Sequence, residues 1–175
     1  MVRDLIVTPM PTTEAYIDIE TTGLSPDRSE ITVVGIYLCS DEENKFVQFV
    51  GRDICADAIM EALEGVDVIY TYNGQRFDLP FIHSACGVDL TRLFRHDDLM
   101  FHCWRNNLRG GLKSVERQLG INRDDKEVDG LEAVRLWHKY VDSFDLEALE
   151  KLCAYNKEDV VNLKTLRDML LGAGE

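Results

Sequence analysis

Apolar residues in the first half of the chain form short runs typical of β-strands. The first strand is predicted at Tyr16 to Glu20, where Ile17 and Ile19 supply the apolar positions. Three further strands are predicted where β-branched and aromatic residues cluster between turn residues, at 31–39, 45–51 and 66–72. The polar turn SDEEN indicates a hairpin between the second and third strands. The segment 53–65 between the third and fourth strands has helical spacing and ends at Gly65.

The second half of the chain has mainly the spacing of helices. A short helix is predicted to begin near Asp78 and end at Gly87, and three later helices are predicted at 112–120, 130–141 and about 145–171. The segment DLMFHCW, 98–104, is interpreted as a fifth strand, with a helix as the alternative. Strands interleaved with helices predict an α/β fold, and the early hairpin makes its sheet mixed.

Composition and charge limit the class of protein. The 175 residues are 45% apolar and 29% charged, as in an ordinary soluble globular protein, and they contain no linker or repeat. We therefore expect one domain over 1–175. The N-terminus lacks a signal-peptide pattern, and no apolar run approaches the roughly 18 residues of a membrane span. We expect a cytoplasmic protein that does not contact a membrane.

Two carboxylates, Asp18 and Glu20, interrupt the first apolar strand. Residues i and i+2 of a strand point to the same face, so both side chains are aimed at one place. Like charges held close together raise each other's pKa, and burial raises it further, which favours a bound cation. Oxygen ligands of this kind suit a divalent metal ion. The alternative is a strand whose polar face meets solvent, and the pair alone does not decide between the two.

Two other segments carry candidate site residues. Asp78 follows the fourth strand at the end where α/β sheets commonly place their sites, although by itself it reads better as the N-cap of the next helix, with Pro80 in the first turn. Tyr155 and Asp159 are four residues apart on the last helix and so lie on one face. This spacing is common in helices, so each signal alone is weak.

Taken in order, the three segments form a more specific pattern. Asp18-x-Glu20, the stretch from Asn73-Gly74 through Phe77-Asp78, and Tyr155-x-x-x-Asp159 resemble the three motifs of the DEDD superfamily of 3′-to-5′ exonucleases. The tyrosine variant, DEDDy, is the closer match, because Ala154 stands where the sister variant has histidine. The second motif resembles that of family B DNA polymerase proofreading domains and of related small bacterial and archaeal ribonuclease H-like proteins. The resemblance spans about 15–171.

The resemblance implies a ribonuclease H-like fold and assigns roles by position. Asp18, Glu20 and Asp159 would hold one Mg²⁺ or Mn²⁺, and Asp18 would bridge to a second ion that Asp78 supports through water. Tyr155 would orient the attacking water. Residues expected to contact the substrate strand are Thr21, Thr22, Gly23, Leu24, Asn73, Arg76, Phe77 and Lys113.

The implied activity is hydrolysis of single-stranded DNA or RNA from its 3′ end, with release of nucleoside 5′-monophosphates. The net charge of −13 argues against a nucleic-acid partner at first sight, but the segment 92–117 has six basic residues against three acidic ones. Bound metal ions and a local basic rim can hold phosphate in an acidic protein. A catalytically silent nucleic-acid-binding or adaptor domain, and a related phosphodiesterase or endonuclease, are the alternatives.

Overall fold

The computed structural model describes residues 12–40, 43–124 and 128–172, which form a mixed five-stranded sheet. The strand order is β3-β2-β1-β4-β5; β1 to β3 form an antiparallel meander, and β4 and β5 continue parallel to β1. The predicted mixed sheet and the hairpin between the second and third strands are confirmed. The strands are β1 Glu14–Thr21, β2 Ile31–Cys39, β3 Asn44–Val50, β4 Val68–Thr71 and β5 Arg95–Asp98.

Helices connect and cover these strands. A single 3-10 turn, Gly51–Asp53, follows β3. The α-helices of the described residues are α1 Ala56–Ala62, α2 Asp78–Cys86, α3 Leu90–Leu93, α4 Leu99–Arg105, α5 Leu112–Leu119, α6 Gly130–Ser143 and α7 Leu146–Leu171. None of these helices has the length and apolarity needed to cross a membrane.

The fifth strand lies earlier than the sequence predicted. Residues 98–104 were interpreted as a strand, but β5 is Arg95–Asp98 and the following residues form α4. Asp98 caps that helix, because its side chain accepts a hydrogen bond from the backbone N–H of Met100 at 3.1 Å. The strand itself is a polar edge strand of sequence RHDD, so it lacks the apolar signal on which strand prediction depends.

The two faces of the sheet carry separate apolar cores. On one face, Ile17 and Ile19 of β1 pack in a cluster that includes Ile59 of α1 and Ile82 of α2. On the opposite face, Tyr16 packs in a cluster with Leu163 and Leu166 of α7. The strand period of two therefore places the even-numbered residues of β1 against α7. Both carboxylates of the first motif, Asp18 and Glu20, lie on this α7 face.

Candidate metal centre

Three carboxylates from two distant parts of the chain meet where β1 faces α7. Asp18 and Glu20 of β1 and Asp159 of α7 each offer one oxygen, and these oxygens lie within 4.8 Å of one another. Glu20 and Asp159 are buried, and Asp18 is partly buried. This set of hard oxygen donors fits a divalent cation such as Mg²⁺ or Mn²⁺.

Asp78, from the start of α2, reaches the backbone of β1 at the same place. Its Oδ1 accepts a hydrogen bond from the backbone N–H of Ile19, between the two β1 carboxylates, at 3.1 Å. The interpretation of Asp78 as a helix N-cap is wrong, because the N-cap of α2 is Phe77 and Asp78 is already the first helical residue. Its carboxylate is buried and is directed at β1. The structure thus brings all four motif carboxylates into one region.

Burial and mutual repulsion make these carboxylates hard to ionise. Burial, followed by the charges of Asp159 and Asp78, raises the pKa of both Asp18 and Glu20 well above its usual range. Burial likewise raises the pKa of Asp78 to about 7, against the hydrogen bonds it accepts from backbone N–H groups. The pKa of Asp159 is raised to about 6 by burial, although Arg123 opposes the rise. A divalent cation would relieve this repulsion, so the residues fit a metal site.

Asp18 is held in place by a buried asparagine that sequence reasoning missed. The Nδ2 group of Asn156 on α7 donates to Asp18 Oδ2 at 3.0 Å and to its backbone carbonyl at 3.1 Å. Gln48 of β3 in turn donates to Asn156 Oδ1 at 2.9 Å. Gly35 of β2, directly opposite Asp18, makes room for this amide. A glycine inside an apolar strand was the one available signal, since it marks a close approach.

Replacing Gly35 by alanine should disturb this arrangement. The added Cβ would lie 2.3 Å from Asn156 Oδ1, so the amide must move away from Asp18. We expect a loss of about 1–3 kcal/mol in the free energy of unfolding, measured by urea denaturation, and weaker divalent-metal binding. Gly130→Ala is the matched control, because a Cβ at Gly130 meets nothing within 4 Å. Equal stability and metal affinity in the two variants would contradict the role given to Gly35.

The turn before Asp78 is also anchored by an unpredicted carboxylate contact. Asp98, at the end of β5, accepts hydrogen bonds from the backbone N–H groups of Asn73 at 2.7 Å and Gln75 at 3.1 Å. Asn73 itself has a left-handed φ of 64°, which asparagine tolerates better than most residues. The cap of α4 and the turn between β4 and α2 therefore share one side chain.

Tyr155 lies one helical turn before Asp159 and is buried. The Lys113 ammonium stands 4.4 Å from the centroid of its ring. Burial, then the negative charges of Asp159 and Glu20, raise the pKa of the Tyr155 phenol above its usual range. The phenol is therefore protonated at neutral pH and is able to donate a hydrogen bond.

A groove opens from the carboxylates toward α5. It has a volume of about 580 Å³. Asp18, Tyr155 and Asp159 line one part of it. The rest of the lining includes Tyr72, Asn73, Gly110, Gly111 and the basic residues Lys113 and Arg117. Two of the predicted substrate contacts, Asn73 and Lys113, thus lie in the groove with the site. Tyr72 and Arg117 were not predicted.

The remaining predicted substrate contacts occupy other positions. Leu24 is 87% exposed, just beyond the end of β1. The Thr21 hydroxyl donates to the Gly23 carbonyl at 2.6 Å. The Thr22 hydroxyl accepts from the backbone N–H of Glu30 at 2.9 Å. Arg76 is exposed. Phe77 packs against Phe81 beside the first apolar core, with ring centroids 4.8 Å apart. Their contacts with a substrate stay predictions.

A mixed sheet flanked by helices, with a carboxylate cluster where its first strand faces the last helix, is typical of the ribonuclease H-like class of α/β proteins. The chain belongs to the RNase_H superfamily, whose family model matches residues 15–171. The predicted fold class is thereby confirmed. An uncharacterized protein from Methanocaldococcus jannaschii is 26% identical over 177 residues, covering 92% of this chain and 97% of that protein.

Solved structures share the fold at low sequence identity. The family B DNA polymerase of the hyperthermophilic archaeon Pyrobaculum calidifontis is 20% identical with a TM-score of 0.71; the match covers 93% of this chain but only 25% of the polymerase chain. NrnC of Brucella melitensis, solved with bound Mg²⁺, is 22% identical with a TM-score of 0.57, covering 90% of this chain and 73% of that one. A structure of the same NrnC bound to pGG matches equally well, with a TM-score of 0.57.

Proposed function

We propose that the protein is a metal-dependent 3′-to-5′ exonuclease of the DEDDy type that acts on single-stranded nucleic acid and releases nucleoside 5′-monophosphates. The observation that carries the proposal is the convergence of Asp18, Glu20 and Asp159, with Asp78 bonded to the backbone of β1 between the first two and Tyr155 one turn before Asp159. The fold it shares with NrnC, whose structures hold Mg²⁺ and pGG, supports the same chemistry.

The cofactors of this proposal are two divalent ions, Mg²⁺ or Mn²⁺. Asp18, Glu20 and Asp159 would hold them directly, with Asp78 contributing through water. Bound ions of this kind lower the pKa of a water nucleophile and stabilise the charge that develops on the phosphoryl oxygens. Carboxylates suit the task because Mg²⁺ prefers oxygen ligands and keeps several of its waters.

The chain's own residues bind and orient the reacting groups. Tyr155 is protonated at neutral pH, so we assign it a hydrogen bond that positions the attacking water rather than the role of general base. Asn156 keeps the Asp18 carboxylate turned toward the site. Asp98 fixes the turn from which α2 presents Asp78.

The groove supports the proposed preference for a single strand. Lys113 and Arg117 offer positive charge to the phosphates beside the carboxylates, and Tyr72 offers a ring on which a base can stack. The exposed Leu24, with the backbone of Thr21, Thr22 and Gly23, would contact the terminal nucleotide. Arg76 is proposed as a further phosphate contact, and Asn73 and Phe77 of the second motif are proposed as further contacts with the strand.

The test is a nuclease assay on linear DNA and RNA oligonucleotides labelled at the 5′ end and on circular single strands that carry an internal label. With Mg²⁺ or Mn²⁺, linear strands with a 3′-hydroxyl should shorten in single-nucleotide steps, and circular single strands should stay intact. Cleaved circles would indicate an endonuclease instead. Binding without any product, and with no difference between the wild type and Asp18→Ala, would indicate a catalytically silent domain and end the proposal.

A further inference from the structure

A buried arginine outside the three motifs lies against the carboxylate cluster. The Nη2 group of Arg123 donates to Asp159 Oδ1 at 2.5 Å, and its Nη1 group donates to both oxygens of Glu116 on α5, at 2.9 Å and 2.7 Å. Its Nε lies 3.2 Å from Oε2 of Glu158. The Arg123 side chain is only 6% exposed. One guanidinium thus joins α5 to the proposed metal ligand on α7.

The surroundings of Arg123 keep it in this position. Glu116 is fully buried and also accepts a hydrogen bond from Asn162 at 2.9 Å. If the guanidinium moved away, Glu116 would be left as a buried charge without its counter-ion, which is strongly destabilising. The loop that carries Arg123 is tied down as well, because the backbone N–H of Asp124 donates to Glu158 at 2.5 Å.

We infer that Arg123 is a positioning residue for Asp159: it holds Oδ1 of this carboxylate and leaves the other oxygen for a metal ion. The inference rests on the proposed metal-dependent function. The planar guanidinium donates from two nitrogens in a fixed geometry, so the buried Glu116 sets the orientation of Arg123, and Arg123 sets that of Asp159. Partners that orient metal ligands in this way typically change metal affinity or activity 10- to 100-fold when they are replaced.

A purely structural role makes a different prediction. If Arg123 only neutralises Glu116, removing both charges together should restore a normal site. The double variant Arg123→Met/Glu116→Gln removes both charges. The net charge near the proposed metal site is then unchanged, and the glutamine at position 116 still offers Asn162 an acceptor oxygen. Replacing a buried ion pair by neutral groups of similar size is often tolerated.

The test is calorimetric titration of the metal-free wild type and variants with Mn²⁺. We expect the apparent Kd for Mn²⁺ to rise about tenfold in the double variant, with a fold intact by circular dichroism. The apparent Kd of Arg123→Lys for Mn²⁺ should rise by a similar factor. Lysine keeps the positive charge, but its single ammonium cannot bind Glu116 and Asp159 with the fixed two-nitrogen geometry of a guanidinium. Arg135→Met is the control, since Arg135 is an exposed arginine paired with Glu132 on α6.

Each outcome decides between the alternatives. Wild-type affinity in a folded double variant would overturn the inference in favour of simple charge neutralisation. If the double variant does not fold, Arg123→Lys decides, and wild-type affinity in that variant would show that charge suffices without geometry. A wild type that is folded but binds no Mn²⁺ would instead refute the proposed metal-dependent function.

Discussion

Replacing Asp18 by asparagine is expected to abolish hydrolysis while making the metal-free protein more stable. Asp18 is central to the cluster: the charges of Asp159, Asp78 and Glu20 all act on it in addition to its burial. Losing a shared metal ligand removes several kcal/mol of charge stabilisation in the transition state, which corresponds to about 10³-fold or more in rate. The uncharged amide has nearly the same shape and can still accept the hydrogen bond from Asn156.

The stability gain follows from the same repulsion. Removing one of four neighbouring carboxylates should raise the melting temperature in EDTA by a few degrees, since about 1 kcal/mol corresponds to about 2–4 °C for a chain of this size. The stabilisation by Mn²⁺ that we expect for the wild type should be absent in this variant. Asp142→Asn, at an exposed position on α6, is the control for a change of charge alone. Full activity of Asp18→Asn, or a lower melting temperature in EDTA, would contradict the proposed site.

The residues predicted from the sequence are those whose signals are local. The period of two in β1 places Asp18 and Glu20 on one face, and the helical spacing of Tyr155 and Asp159 places them one turn apart. The resemblance to exonuclease motifs joined these local signals into one expected site. The polar edge strand β5 was placed too late, because no apolar pattern marks it.

The residues that sequence reasoning missed act across the fold. Asn156 is 138 residues from Asp18, and Arg123 is 36 residues from Asp159. No periodic pattern connects such pairs, because their contact depends on how α7 packs on β1 and on the path of the loop after α5. In the sequence, Arg123 lies in a polar segment after α5, and only the fold brings it to its carboxylate partners Glu116, Glu158 and Asp159.

The metal-free protein should lose stability as the pH rises from about 4 to 7. The pKa values of Asp78, about 7, and Asp159, about 6, are raised above the aspartate value of about 4 in the unfolded chain. The folded protein therefore binds more protons than the unfolded chain between these values. The stabilisation that these two groups contribute is fully present below about pH 4. It is lost as the pH rises through about 6 for Asp159 and about 7 for Asp78. The loss is on the order of 5 kcal/mol, or about 10–20 °C in melting temperature.

Divalent metal should reverse this loss, because an ion bound only by the folded state replaces the protons. At pH 8, Mn²⁺ at about one hundred times its Kd adds about 2.7 kcal/mol, whereas at pH 5 protons compete for the same oxygens. The measurement is thermal unfolding in EDTA and in Mn²⁺ at each pH.

Burial lowers the pKa of His96, so the protonation of this histidine at acid pH destabilises the folded protein, opposite to the effect of the carboxylates. Asp78→Asn and Asp159→Asn, which keep that histidine, isolate the carboxylates: each should flatten the pH dependence in EDTA, and a wild-type slope in both variants would place the titrating groups elsewhere.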